Sequence, residues 1–213
     1  MEERTITITL DKAKEWYHSG NKVLKEVALQ AFDENKLIIN FKNITTFRKA
    51  CDALDINYNT ISIIIKRMIK FSKASAAMFK LNIIRKALNL GQDLHLTKDP
   101  KNSYIYYPYN PFVTKSSTYY KSEINSGKME IIGKIKSEGE EYNVLGGSVA
   151  LCSYTGLSGF NSINGIGYTY APIGFLGCAN KEIAQHFGKY FGMLITEAKY
   201  GDMVDFEIIE TKY

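Results

Sequence analysis

The residues that could do chemistry in this chain are few and scattered. His18, His95 and His186 fall in two predicted helices and a loop, and none has a second His or a carboxylate at metal-site spacing. They read as surface or half-buried histidines. Ser153 and Ser158 stand in SYTGLSGF, which is not G-x-S-x-G and leads into no strand-to-helix elbow. Gly165-Ile166-Gly167 runs on into Tyr168-Thr169-Tyr170, where a phosphate loop needs a third glycine or Gly-Lys-Ser/Thr. Glu138, Glu140 and Glu141 are close together, but in a polar turn they read as a solvated hairpin tip rather than a general acid and base. Cys51, Cys152 and Cys178 are odd in number and form no CxxC pair. Reduced thiols are expected, and a Cys152–Cys178 pair is left open to the fold. These residues predict no catalytic set, no metal site and no cofactor, so a non-enzymatic protein is expected.

The basic residues are better organised. The net charge is +5, and the excess lies in the first hundred residues. Lys66, Arg67, Lys70, Lys73, Lys80, Arg85 and Lys86 occur with no acid between Asp55 and Asp93. Around them, Thr45 or Thr46 caps FRKACDALD, Asn57 to Asn59 break the chain, and ISIIIKRMIKF follows, the outline of a helix-turn-helix. DNA binding through Lys66, Arg67, Lys70 and Lys73 is one alternative. The other is a buried helix with a solvated basic edge, which the apolar ISIIIKRMIKF favours because it offers few side chains that read base edges.

These residues must be positioned by the rest of a 213-residue chain that is 45% hydrophobic and 13% aromatic, ample for a packed core. No apolar run reaches the length of a membrane helix. The start, with two acids before TITITL, lacks the pattern of a secretory leader, so synthesis inside the cell is expected. Alternation in Thr5–Leu10 predicts a strand, and Asp11 is expected to open a short helix closed by Gly20. Helices are predicted for Lys22–Phe32 and for Ser72–Leu90, the latter with a stripe of Ala76, Phe79, Ile83, Ala87 and Leu90 and a cap at Gly91. Past Asp99-Pro100 the character turns to β, with Lys128–Lys136 and Glu141–Leu145 paired about Ser137-Glu138-Gly139. Asn180 caps a last helix, whose inward face is Ile183, Phe187, Phe191, Leu194 and Ala198, and MVDFEIIE returns to the sheet. The expected class is α+β, with a helical, basic part (1–98), a second part (99–213) and a soft boundary.

From Tyr142 to Asn180 there is no charged residue and no histidine, yet eight of the 16 glycines fall there. Between them stand Ser, Asn and Tyr in the proportions of a binding surface: Tyr gives broad amphipathic contact, and Ser, Asn and Gly give adaptable hydrogen bonding. A glycine-rich meander that binds nothing has the same composition, and composition leaves both open.

The pattern GGS (146–148), TGLSGF (155–160), NGIG (164–167) and IGF (173–175) resembles the variable segment of proteins diversified by retroelements in phages and bacteria. KLNIIRKALNLG (80–91), YIYYPY (104–109) and GFLGCANKEIAQHFGKYF (174–191) are similar to proteins of gut-bacterial phages and prophages. The resemblance implies a C-type-lectin-like module in which Gly146-Gly147 and Ile173-Gly174-Phe175 frame a displayed segment, 146–178. It also implies ligand contacts by Val149, Leu151, Ser153, Tyr154, Ser158, Phe160, Asn161, Ser162, Asn164, Tyr168 and Tyr170. The partner would be a protein or glycan, such as a host-surface receptor. A virion structural or assembly role, in which the same stretch joins subunits, is the alternative of another class.

Overall fold

The computed structural model describes residues 7–37, 40–90, 104–118, 120–146, 148–153 and 176–213. They form a mixed α+β protein. Six helices come first: α1 (Leu10–His18), α2 (Lys22–Ala31), α3 (Glu34–Leu37), α4 (Phe47–Ala53), α5 (Tyr58–Ile69) and α6 (Lys73–Leu88). Strands β1 (Tyr104–Tyr109) and β2 (Phe112–Thr114), short helix α7 (Lys121–Asn125), and strands β3 (Glu130–Ser137), β4 (Glu140–Gly146) and β5 (Ser148–Ser153) follow. Helix α8 (Lys181–Tyr200) and strand β6 (Phe206–Thr211) complete the order. No helix among the described residues is long and apolar enough to cross a membrane.

Side-chain caps set most helix starts. Asn21, Thr46, Asn57, Ser72 and Asn180 each accept a hydrogen bond from a backbone N–H two or three residues on. Each such cap is worth about 1 kcal/mol. Two expectations are corrected by these caps. Thr9, whose hydroxyl accepts from the Lys12 N–H at 3.3 Å, caps α1, so Leu10 is helical rather than the end of a strand and Asp11 lies in the first turn. Asn57 accepts from the Thr60 N–H at 3.1 Å, so α5 begins at Tyr58 and not beyond Asn59.

The buried residues of α6 are Ala76, Ala77, Leu81, Ile84, Ala87 and Leu88, not the expected stripe through Phe79, Ile83 and Leu90. Helix α6 packs against α4, α5 and α8 at once, and its inward arc is turned toward α8, which itself buries ten residues. The expected cap at Gly91 and the soft boundary at Asp99-Pro100 lie outside the described residues.

Strands β2, β4, β3 and β6 form an antiparallel sheet in that order, and β1 pairs with β5. The β3–β4 turn is at Glu138 (φ +51°) and Gly139 (φ +84°), as the sequence predicts. Strands β1–β2 and β4–β5 make one antiparallel ribbon that bends between sheets. Tyr109 lies opposite Ser148 and Phe112 opposite Val144, so Asn110-Pro111 faces one residue more on the other strand. The extra residue bends the ribbon as a bulge does, and the Leu145 N–H donates to the Pro111 carbonyl at 3.0 Å across the bend.

Helix α8 lies between the helical layer and the strands. On one side Ile183, Ala184, Phe187, Phe191 and Ile195 pack with Ile44, Ala50, Ala77, Leu81, Ile84 and Leu88 in the main core. Phe187 is fully buried, which contributes roughly 1.5–3 kcal/mol. On the other side Met193 joins Ile132, Ile135 and Val144 of the sheet. The strands can come this close because α8 carries Gly188 and Gly192 there. A Cβ at Gly192 would lie 2.4 Å from both Asn110 Nδ2 and Ile132 Cδ1, and one at Gly188 would lie 3.2 Å from Pro108 Cβ.

Loose ends are tied back to this layer. Glu130 accepts from Lys212 at 2.6 Å and from the Tyr213 hydroxyl at 2.9 Å, and pairs with Lys189 of α8 at 2.7 Å. Partial burial raises this carboxyl's pKa, but the hydrogen bonds from Lys189, Lys212 and Tyr213 outweigh it and bring it down to about 2. Cys51 and Cys178 are free, buried thiols. Burial pushes the Cys178 thiol up to about 12 although the Arg85 charge draws it down, so it stays protonated and inert.

Gly192→Ala tests the close approach. Helix propensity favours Ala by about 1 kcal/mol, whereas overpacking costs about 1–3 kcal/mol. A net loss of up to about 2 kcal/mol is expected in urea unfolding, shrinking in an Asn110→Ala background.

Candidate functional site

The uncharged stretch joins two points that the frame holds. At its start, β5 is laddered to β1 with Val149 opposite Pro108, Leu151 opposite Tyr106 and Ser153 opposite Tyr104. Positions 149, 151 and 153 alternate along β5 and so share one face of the strand. Tyr154, Ser158, Phe160, Asn161, Ser162, Asn164, Tyr168 and Tyr170 lie outside the described residues, as do Gly147 and Ile173-Gly174-Phe175. At its end, Leu176 and Cys178 are buried in the main core beside α6 and α8.

Two asparagine side chains brace these points. Asn110, in the bend before Pro111, donates through Nδ2 to the Leu145 carbonyl and to the Gly188 carbonyl, both at 2.9 Å. It therefore pins the end of β4, just ahead of β5, onto α8. Its Oδ1 is buried with no partner among the described residues. Gly146 is needed at the same place, since a Cβ there would lie 2.6 Å from Ile132 Cγ2 and 3.1 Å from the Gly188 carbonyl. The tight packing here leaves no room for a side chain at position 146.

At the other end Asn89, the C-cap of α6, is buried. Its Nδ2 donates to the Arg85 carbonyl at 2.9 Å and the Gly177 carbonyl at 3.2 Å, and its Oδ1 accepts from the Ala179 N–H at 2.8 Å. The returning chain is thus hydrogen-bonded to the end of α6 before Asn180 caps α8. Sequence reasoning missed both asparagines. Asn110-Pro111 is a turn signal and Asn89 stands near a helix end, but neither pattern says which backbone groups the amide will meet.

The remaining candidates are dispersed. Lys66, Arg67 and Lys70 are exposed on α5. Lys73 is separated from them, because it opens α6 beside Asp202. The Asp202 carboxylate accepts from the Ser72 hydroxyl, from the Lys73 N–H at 2.7 Å and from the Ala74 N–H at 3.2 Å. Those bonds, Ser72 first, hold it below the usual carboxylate range. Glu138, Glu140 and Glu141 sit exposed at the β3–β4 tip, where Lys115 pairs with Glu141 at 2.5 Å and the Tyr142 hydroxyl donates to Glu140 at 3.0 Å. His186 is half-buried, with Nε2 2.8 Å from the Ile44 carbonyl, and burial lowers its pKa. His95 lies outside the described residues.

Among the described residues no three His, Cys, Asp or Glu side chains are grouped to hold a metal. A cleft of about 320 Å³ opens between the start of α4, α6, α8 and β6, lined by Phe47, Lys80, Tyr190, Leu194, Glu197 and Tyr213. Comparison with protein-family models, curated proteins and solved structures returns no match.

Replacing Asn89 by Leu strands the half-buried Ala179 N–H and the buried Gly177 carbonyl. The expected loss is about 2–4 kcal/mol, from roughly 1–3 kcal/mol per unpaired group, with faster hydrogen exchange at the Ala179 amide. Asn82→Ala, on the exposed side of the same helix, should stay within about 0.5 kcal/mol of wild type.

Proposed function

We propose that this chain is a non-enzymatic binding protein, of phage or prophage origin, that presents its uncharged residues 154–175 to a protein or glycan ligand. The observation that carries this reading is the bracing of both ends of the stretch: Asn110 and Gly146 hold its start against α8, and Asn89 holds its return at the end of α6. Fixed end points on a packed frame are what a binding segment with exchangeable side chains requires.

The chemistry proposed for the surface is that of its side chains. Tyr154, Phe160, Tyr168 and Tyr170 supply aromatic contact, and Ser153, Ser158, Asn161, Ser162 and Asn164 supply hydrogen bonds. Val149 and Leu151, on the β5 face that Ser153 shares, lead into it. The finer proposal is a C-type-lectin-like module over 99–213 with 146–178 as its displayed segment, and support for it comes from the sequence resemblance. Neutrality favours a ligand recognised by shape and hydrogen bonding rather than by charge.

Changing Tyr154, Tyr168 and Tyr170 together to Ala tests the reading. On a glycan array and on immobilised host-surface proteins, the wild type should give signals that the variant loses, while Tm stays within a few degrees. A large fall in Tm would make these tyrosines part of the core, and the proposal would fail.

A further inference from the structure

Helix α5 presents a face that the rest of the fold leaves uncovered. Of its 12 residues only Ile65 is buried, while Tyr58, Ile61, Ser62 and Met68 are half-buried. At 100° per residue, Asn59, Thr60, Ile63, Lys66, Arg67 and Lys70 all fall in the half-circle opposite Ile65, and all are exposed. Ile63, in the middle of that arc, is 56% exposed. Lys66, Arg67 and Lys70 have no ion-pair partner among the described residues. A surface with three unneutralised cations calls for an anionic partner.

The setting of α5 narrows the partner further. Helices α4 and α5 are joined by residues 54–57, with Asp55 in the left-handed region at φ +55°, and both helices pack on α6. The Arg48 guanidinium of α4 lies 4.1 Å from the centre of the Tyr58 ring of α5, and Phe47 also packs on that ring. Two helices across a four-residue turn have the order of a helix-turn-helix, in which the second helix is the one that enters a DNA major groove. The N-terminal half of the exposed face holds Asn59, Thr60 and Ile63, and its C-terminal half holds the cations. A membrane-surface helix would segregate apolar and basic side chains on opposite faces. Here Ile63 (56% exposed) and Ile64 (42% exposed) share the outward half-circle with Asn59, Lys66, Arg67 and Lys70, so apolar and basic side chains are not segregated.

We propose that the outward face of α5 binds duplex DNA in the major groove. Lys66 and Lys70 contact backbone phosphates, and Arg67 reaches either a phosphate or a guanine edge. Asn59 reads adenine, and the Thr60 methyl and Ile63 pack on thymine methyls. Lys73 is not part of the surface, because it opens α6, past the end of α5. This binding uses none of the residues of the uncharged stretch.

The test is fluorescence anisotropy of the full chain with a labelled duplex of mixed sequence about two helical turns long. Three phosphate contacts predict an affinity that falls roughly 40-fold between about 50 and 200 mM salt. The triple variant K66Q/R67Q/K70Q should bind at least about tenfold more weakly at an unchanged Tm, since the three side chains are exposed. Selection from a randomised duplex pool should enrich an adenine-containing motif whose preference at that adenine is lost in Asn59→Ala. The proposal is overturned by absence of binding at about 50 mM salt, or by equal affinity of wild type and triple variant. It is overturned too if the protein ignores DNA but sediments with phosphatidylserine vesicles in a Lys66-, Arg67- and Lys70-dependent way.

Discussion

The whole arrangement depends on how closely one helix can approach a sheet. Helix α8 has the helical layer on one side and the strands on the other, and the strand side is open because Gly188 and Gly192 lack side chains. Pro108, Asn110 and Ile132 occupy the space that side chains would fill. The approach brings Asn110 within hydrogen-bonding reach of the Gly188 carbonyl, and that bond fixes where the bent ribbon crosses the helix. A side chain at Gly192 would displace the Asn110 amide and with it the end of β4. Phe187 and Phe191, one position back at each glycine, fill the opposite side and commit α8 to α4 and α6. One four-residue periodicity therefore makes both interfaces.

From this frame the two proposed surfaces follow as separate consequences. The ribbon bend sends β5 off the end of the main sheet, and the core positions Leu176 and Cys178 recover the chain beside α6, so the neutral residues are held at both ends. The cost of that arrangement is carried by polar groups: Asn89 is fully satisfied, whereas Asn110 leaves its carbonyl oxygen without a partner among the described residues. Helix α6 is consumed by packing against α4, α5 and α8. Helix α5, with a single buried residue, retains a free face. Large buried area makes an element structural, and small buried area leaves its side chains available for a partner.

Much of the fold was legible in local chemistry. The β3–β4 hairpin is specified by its turn, α8 by Asn180 and a strong apolar period, and β6 by its alternation, and all three form as read. What local chemistry could not show was which of two competing signals wins. Thr9 caps a helix through its hydroxyl although TITITL alternates like a strand, and Asn57 starts α5 one turn earlier than the Asn-Tyr-Asn break implies. The second of these bears on the proposed DNA-binding face, because it brings Asn59 and Thr60 onto the same helical face as the lysines. The stripe on α6 was rotated because its neighbours, not its own period, decide what is buried. The bracing asparagines were illegible for a related reason: their partners are 35, 78, 88 and 90 residues away in sequence.

The central claim is that the frame is complete without the uncharged stretch. The most direct measurement replaces residues 154–175 by a Gly/Ser linker of equal length and follows hydrogen exchange together with thermal unfolding. The account predicts an unfolding transition within a few degrees of wild type and unchanged protection at Ala179, Leu145 and the α8 amides. A cooperative loss of stability, or rapid exchange along α8, would show that the neutral residues belong to the core and would contradict it.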